Sequence, residues 1–214
     1  MWMIRKTFFK YTSIILSYIF PVTCYLCHKE SKPICISCLS RLKKSIDTPA
    51  PYIVSIYSFK DPHVKKIIHA IKYFHRKDLL APFSEVIAGE IKKSENYSSY
   101  ILVPIPMPRL RKYLRGHNHS ENLARMIGHA VSLPVQCDIL KRSTIQSKKR
   151  QVATRSRAER LKNQKNVFIA PANLNNLRII LIDDVTTTGA TLHEARRVLL
   201  AHGAASVMAF TIAH

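Results

Sequence analysis

Two adjacent carboxylates, Asp183 and Asp184, stand directly before a loop that is rich in hydroxyl groups. The loop, residues 186–191, contains four threonines and Gly189. A helix that begins after such a loop presents unpaired backbone N–H groups, and these favour a phosphate. The carboxylates would repel a bare phosphate, but they are strong acceptors for the hydroxyls of a sugar. The pattern therefore suits a sugar phosphate, with its phosphate in the loop and its ribose hydroxyls on the two acids.

The flanking sequence predicts a strand, a loop, a helix and a second strand around these residues. Residues 179–182 form a continuous apolar run, which is typical of a strand buried on both faces. Apolar residues then recur at helical spacing from Leu192 to Leu199, and Gly203 is a typical residue after a helix end. Residues 205–212 are predicted as the second buried strand. The alternative is an ordinary strand-to-helix turn with threonine caps and a solvated acidic pair. A Walker-type phosphate loop is excluded, because the sequence lacks the spacing G-x-x-x-x-G-K-[ST].

The cysteines suggest a metal site. Four of the five lie in two C-x-x-C pairs, and seven residues separate the pairs. Four thiolates at this spacing suit tetrahedral Zn²⁺. Disulfides are the alternative, but a chain of this size does not need them, and it shows no convincing secretory signal. We therefore predict a structural zinc site with the ligands Cys24, Cys27, Cys35 and Cys38.

The charge of the chain is strongly positive. Lys and Arg number 34 against 13 acids in 214 residues, and the net charge is +21. Such an excess points to a polyanion, either nucleic acid or an anionic membrane surface, unless the source proteome is basic as a whole. The charge is concentrated in residues 109–115 and 141–165, and we expect nucleic acid to contact the second segment. The predicted contacts are Lys148, Lys149, Arg150, Arg155 and Arg157.

The first 23 residues imitate a signal peptide, with an early positive cluster followed by an apolar stretch. That stretch is too short and too polar for a transmembrane helix. Its apolar residues recur every three or four positions, which fits an amphipathic helix. This helix either packs on the protein or lies at a membrane surface.

Helices and strands alternate along the rest of the chain, which favours an α/β fold with a mainly parallel sheet. The stretch Thr48–Pro51 is the best candidate for a boundary. We predict an amphipathic segment and zinc finger over 1–48 and the main domain over 49–214. The predicted strands are 52–59, 100–106, 138–142 and 166–170, and the predicted helices begin after Asp61 and cover 82–91 and 120–131.

Several segments resemble known families. The stretch ILIDDVTTTGATL, residues 180–192, resembles the thirteen-residue signature for phosphoribosyl pyrophosphate (PRPP) in the type I phosphoribosyltransferases. With the cysteine pairs and residues 103–125 and 151–168, it follows the order seen in the ComF competence family. An R-G-x-N element at residues 115–118 supports the resemblance, although His117 replaces the usual large aromatic residue.

The resemblance implies a type I phosphoribosyltransferase-like fold: a mainly parallel sheet flanked by helices, with a small N-terminal four-cysteine zinc finger. It implies PRPP and Mg²⁺ as ligands, with Asp183 and Asp184 on the ribose hydroxyls. Arg109 and Arg111 would meet the pyrophosphate, and residues 141–165 match the position of a mobile catalytic loop. The residues that match the 5′-phosphate cradle are Thr187, Thr188, Gly189, Ala190 and Thr191.

The resemblance also implies a function in natural transformation, at the cytoplasmic side of the DNA-import machinery. Single-stranded DNA, other competence proteins and the inner membrane surface are the implied partners. One departure matters, because purine-salvage enzymes carry an acid where this chain has Thr187, and threonine cannot act as a general base. Purine salvage is therefore disfavoured, and no catalytic residue is assigned. Two hypotheses remain: a competence protein that binds PRPP and single-stranded DNA, and an active Mg²⁺-dependent phosphoribosyltransferase with an unidentified acceptor.

Overall fold

The structure is a computed structural model, and it describes residues 21–30, 32–143, 167–171 and 173–214. The chain forms two compact units, residues 1–42 and 43–214. The predicted domain boundary between residues 48 and 49 stays a prediction. No described helix combines the length and the apolar composition that a membrane crossing requires.

The described part of the first unit contains one short helix, α1 (Ile36–Arg41), after the cysteine-rich turns. In the second unit, parallel strands alternate with helices in the order that the sequence predicts. Its elements are β1 (Ile53–Tyr57), α2 (Pro62–Tyr73), α3 (Leu80–Lys92), β2 (Tyr100–Pro104), α4 (Arg109–Arg115), α5 (His119–Val131), β3 (Lys141–Arg142), β4 (Phe168–Ile169), β5 (Arg178–Val185), α6 (Ala190–Ala201) and β6 (Ser206–Ala213).

The main sheet has four strands in the order β1-β6-β5-β2, and all three pairings are parallel. Both faces of β5 are buried, because helices cover the sheet on each side. Ile179 and Leu181 belong to a core cluster that includes Leu192 and Leu199 of α6. Ile180 and Ile182 alternate with them and are also buried, and α5 packs against β2 and β5. The continuous apolar run therefore has the physical cause predicted for it, burial on two faces.

Local signals place several elements where the sequence predicts them. Helix α2 begins at Pro62, and the side chain of Asp61 accepts a hydrogen bond from the backbone N–H of His63 at 2.8 Å. Proline at the first helical position costs no hydrogen bond and has the helical φ angle. Gly203, with φ +94°, follows the end of α6. Strands β3 and β4 form a separate antiparallel pair of two residues each, much shorter than predicted.

The segment between the predicted strand 100–106 and the predicted helix 120–131 contains a further helix that the sequence did not predict. Residues Arg109–Arg115 form α4, which starts after Pro108 and ends at Gly116 with φ +70°. A proline before the helix and a left-handed glycine after it are ordinary helix boundaries. These two boundary residues are a weak sequence signal for a helix, because the segment between them has only seven residues and is dominated by basic side chains.

The observations confirm the predicted fold class, a mainly parallel sheet flanked by helices with a four-cysteine N-terminal module. Two predictions lie outside the described residues. They are the amphipathic helix within residues 1–20 and most of the basic segment at 141–165.

Candidate functional site

A cavity of about 300 Å³ lies at the carboxyl ends of β2 and β5, the edge at which open α/β sheets bind ligands. The strands β2 and β5 are hydrogen-bonded neighbours, so the segments that follow them reach the same place. The acid pair that the sequence singles out lines this cavity. Its polar lining includes Lys72, Arg111, Ser120, Arg142, Asp183 and Asp184.

Each acid of the pair is held by its own partner. Asp183 Oδ1 accepts a hydrogen bond from Ser120 Oγ at 2.8 Å and one from the backbone N–H of Asp184 at 2.9 Å. Asp184 Oδ2 lies 3.1 Å from Lys72 Nζ, and the side chain of Asp184 is only 12% exposed. These partners offset part of the cost of placing two carboxyl groups side by side at the mouth of the cavity.

The hydrogen bonds of Asn118 explain the R-G-x-N element. Asn118 is the residue before α5, and its Oδ1 accepts a hydrogen bond from the backbone N–H of Ser120 at 3.2 Å. Its Nδ2 donates to the backbone oxygen of Ile105 at 3.0 Å. One side chain therefore caps α5 and fixes the segment that leaves β2. These two hydrogen bonds position Ser120, and Ser120 in turn orients Asp183.

The pKa of Asp183 is raised. Burial has the largest effect, and the negative charge of Asp184 adds to it; together they raise the pKa of Asp183 from 3.8 to about 7. The hydrogen bonds from Ser120 and Asp184 and the charge of Lys72 act in the opposite direction. With this pKa, the Asp183 carboxyl group gains or loses its proton near neutral pH.

The raised pKa predicts how stability depends on pH. The folded pKa lies above the unfolded value, so the contribution of Asp183 to stability is complete below about pH 4 and is lost as the pH rises through 7. Asp183→Asn cannot ionise and avoids this loss. We expect the stability of the variant relative to the native chain to improve by about 2 kcal/mol between pH 5 and pH 8.

Thermal unfolding at the two pH values measures this difference. The matched control is Asp138→Asn, because Asp138 is exposed. The control should shift the melting temperature equally at pH 5 and pH 8. An equal shift for Asp183→Asn would show that the folded chain does not disfavour the ionised carboxylate.

The loop at residues 186–191, called the phosphate loop from here on, leads directly into α6. Gly189 has φ +72°, and α6 starts at the next residue, Ala190. A Cβ atom at Gly189 would lie 2.8 Å from Pro49 Cβ and 3.2 Å from Ile53 Cδ1. Both the left-handed backbone and the close neighbours therefore require glycine. The first backbone N–H groups of a twelve-residue helix are left at this end, facing the loop.

We expect Gly189→Ala to lower the free energy of unfolding by about 1–3 kcal/mol, because alanine is strained at positive φ and its methyl group meets Pro49. Gly89 offers a matched control in α3, since a Cβ atom there has no neighbour within 4 Å. Gly89→Ala should stabilise the chain by about 0.5–1 kcal/mol. Urea denaturation of both variants measures the two effects; a neutral Gly189→Ala would contradict the loop geometry.

The other predicted site residues fall in different places. Thr191 and Arg111 line the cavity of the acid pair. Arg109 is exposed on α4. Thr187 is exposed and lines a second, larger cavity. Thr188 is exposed too, and its Oγ1 accepts a weak hydrogen bond from the N–H of Ala190 at 3.4 Å.

Sequence reasoning missed three charged residues of the cavity as site residues, namely Glu194 of α6 and the two cations Lys72 and Arg142. Lys72 comes from α2, and its contact with Asp184 joins residues that are far apart in the chain. Arg142 donates a hydrogen bond to the backbone oxygen of Pro106 at 3.3 Å and lies over the ring of Phe168. Neither belongs to a recognisable motif, so only the fold reveals them. The five predicted DNA contacts, residues 148–157, lie outside the described residues.

The four N-terminal cysteines form a cluster in which all Sγ atoms lie within 4.8 Å of one another. Cys27 Sγ and Cys35 Sγ are 3.7 Å apart. Tetrahedral zinc with bonds of about 2.3 Å requires sulfur–sulfur distances of about 3.8 Å. The backbone N–H of Cys35 points to Cys24 Sγ at 3.4 Å. All four cysteines are free thiols, so the residues present fit a four-thiolate metal site.

The local fold explains why the four cysteine side chains lie together. The turn after Cys24 is closed by the hydrogen bond from His28 N–H to Cys24 O at 2.8 Å. Cys35 stands directly before α1, so Cys38 lies on the first turn of that helix. Burial disfavours the Cys24 thiolate, but N–H groups of Cys35 and its own turn outweigh it and lower the pKa of Cys24 to about 6. A low thiol pKa favours the thiolate that binds a metal.

No family model matches the chain. Several curated proteins are similar to it. The DNA utilization protein YhgH of Salmonella typhi is 24% identical over 175 residues, which cover 79% of this chain and 75% of that protein. The competence protein ComFC of Bacillus subtilis is 32% identical over 159 residues, which cover 74% of this chain and 62% of ComFC. The competence protein F of Haemophilus influenzae is 27% identical over 112 residues, 52% of this chain and 49% of that protein.

Solved structures with a similar arrangement include the hypoxanthine phosphoribosyltransferase of Trypanosoma cruzi. It is 12% identical, with a TM-score of 0.38 over 62% of this chain and 60% of that chain. The hypoxanthine-guanine phosphoribosyltransferase of L. donovani is 15% identical, with a TM-score of 0.35 over 62% of this chain and 67% of that chain. The curated matches agree with the resemblance that the motifs indicated: the chain is similar to the ComF competence proteins.

Proposed function

We propose that this protein binds PRPP and single-stranded DNA as a competence protein, on the cytoplasmic side of the DNA-import machinery. The observation that carries the PRPP part is the joint position of an acid pair and a phosphate loop at one sheet edge. Asp183 and Asp184 line a cavity of about 300 Å³, and Thr191 of the loop lines it too. The competence part rests on the curated relatives that are named for competence or DNA utilization.

The contacts of the acid pair suit a ribose. Asp183 is oriented by Ser120, and Asp184 pairs with Lys72. Carboxylate oxygens in these positions accept hydrogen bonds from the ribose hydroxyls, while the loop N–H groups receive the 5′-phosphate. Arg111 and Arg142, on the cavity wall, supply positive charge for the diphosphate.

A magnesium ion fits the same place, because carboxylates and phosphates offer the oxygen ligands that Mg²⁺ prefers. Asp183 and Asp184 would hold it together with PRPP. When bound, it neutralises part of the diphosphate charge. The zinc of the N-terminal module would be structural, since four thiolates leave no open position for a substrate.

The second candidate function is transfer of the phosphoribosyl group to an unidentified acceptor. The cavity favours it, since cationic side chains and an acid pair share one small volume. Thr187 stands against it, because this position has no carboxylate and the side chain lines the other cavity. We favour PRPP as a bound ligand.

Two assays separate the candidates. Calorimetry with PRPP and Mg²⁺ should detect binding, and ribose 5-phosphate should bind more weakly because it lacks the diphosphate. Release of pyrophosphate is then measured with single-stranded DNA and with a panel of nucleobases. We expect no release beyond the rate without acceptor. Turnover with any acceptor would establish the transferase, and lack of PRPP binding would refute both candidates.

The DNA part has its own test. Replacing Lys148, Lys149 and Arg150 with Ser should weaken single-stranded DNA binding and flatten its salt dependence by about 0.7 per lost phosphate contact. If these residues serve only the diphosphate, the affinity for PRPP should fall instead, while DNA binding keeps its native salt slope. That second outcome would remove this segment from the DNA surface.

A further inference from the structure

A second cavity, of about 780 Å³, is lined by other residues of the phosphate loop and lies within the same compact unit. Thr186 and Thr187 form part of its wall, together with His214, the residues before β1 and the residues from the end of β1 into α2. Its volume lies within the range of about 300–1,000 Å³ that is usual for ligand cavities. The acid pair does not line it.

The lining side chains give this cavity a positive charge. Four of them are lysines and a single one is an aspartate, Asp47, among the described residues. The four lysines are all exposed at the surface. They are Lys43, Lys44, Lys60 and Lys65.

The backbone around the lysines is firmly held. Residues 43–45 pair antiparallel with the end of β1, through Ser45 N–H to Ile56 O at 3.1 Å and Ser58 N–H to Lys43 O at 2.8 Å. The backbone N–H of Lys43 also donates to Asp61 Oδ2 at 2.9 Å, which ties it to the start of α2. The charges therefore stand on an ordered frame rather than on a loose tail.

Apolar surface lies between the charges. Ile46 is 96% exposed, and Phe59 is half-buried in the wall of the cavity. Sites for single-stranded nucleic acids combine positive charge along the backbone with apolar or aromatic surface for the bases. The cavity has both parts, while a site for one small anion would need only the first.

From these observations we infer that the cavity binds the sugar-phosphate backbone of single-stranded DNA, with Lys43, Lys44, Lys60 and Lys65 on successive phosphates. The inference rests on the proposed handling of DNA and gives it a location on the described residues. A strand in this cavity would pass Thr186 and Thr187 of the phosphate loop without contact with the acid pair. The DNA surface and the PRPP site would then share one loop without sharing their charged side chains.

The test replaces all four lysines with Gln in the full-length chain. A control variant changes four exposed lysines elsewhere to Gln and thus loses the same charge; these are Lys29, Lys77, Lys92 and Lys93. The probe is an oligodeoxythymidine of about 16 nucleotides, the upper end of common site sizes. Its affinity is measured over a series of salt concentrations, and PRPP binding is measured in parallel.

We expect the cavity variant to lose about tenfold or more in affinity and to flatten the salt slope by about 0.7 for each lost contact. The control should keep the native slope, and both variants should bind PRPP like the native chain. Equal behaviour of the two variants towards the oligonucleotide would overturn the inference, and so would thymidine monophosphate binding as tightly as the strand. If the native chain binds no strand, the DNA part of the proposed function fails as well.

Discussion

Asp183→Asn combined with Asp184→Asn should abolish PRPP binding. Each substitution replaces a charged acceptor for a ribose hydroxyl with a neutral amide. A hydrogen bond to a charged group contributes about 1.5–3 kcal/mol, so the pair accounts for a loss of about a hundredfold or more in affinity. Titration calorimetry with PRPP and Mg²⁺ measures it.

The fold should survive this double substitution. Asparagine keeps the acceptor oxygen that Ser120 uses, and the two acids lie at the end of β5, beside a cavity. Asp138→Asn with Glu95→Gln removes the same charge from exposed positions and should bind PRPP normally. Native affinity in the Asp183/Asp184 variant would mean that the ribose lies elsewhere.

Loss of zinc should unfold the N-terminal module. Structural zinc in small modules contributes about 10–16 kcal/mol of apparent binding free energy, far more than a core of this size provides. Protein purified without chelator should contain close to one zinc per chain. Cys27→Ser with Cys38→Ser should lose the metal and make residues 21–42 sensitive to protease.

The fifth cysteine gives the matched control for zinc. Cys137 belongs to the larger unit, contacts Arg125 and is not one of the four clustered cysteines. Cys137→Ser should keep the full metal content. A native chain that carries no metal and yet resists protease over residues 21–42 would contradict the zinc site.

Local sequence signals predicted much of this fold. The Asp61–Pro62 pair fixes the start of α2, and the apolar run at 179–182 identifies the buried strand, because each depends on neighbours within a few residues. The position of the acid pair at a sheet edge also follows from local order. A strand that precedes a phosphate loop brings its last residues to the carboxyl end of the sheet.

Long-range partners could not be predicted in the same way. The pairing of Lys72 with Asp184 depends on how α2 lies against β5, and no local pattern encodes that arrangement. The link from Asn118 through Ser120 to Asp183 likewise appears only when α5 is placed beside the sheet. The lysines of the second cavity come from two segments, one before β1 and one after it. In a sequence this basic, no local pattern distinguishes them from the other lysines.

The central claim is that PRPP binds with its ribose on the acid pair and its 5′-phosphate in the loop. A crystal structure of the protein with PRPP and Mg²⁺ tests this most directly. We predict the ribose hydroxyls within hydrogen-bonding distance of Asp183 and Asp184, and the 5′-phosphate on the backbone N–H groups of residues 187–191. PRPP bound away from the cavity, or with its diphosphate in that loop, would contradict the claim.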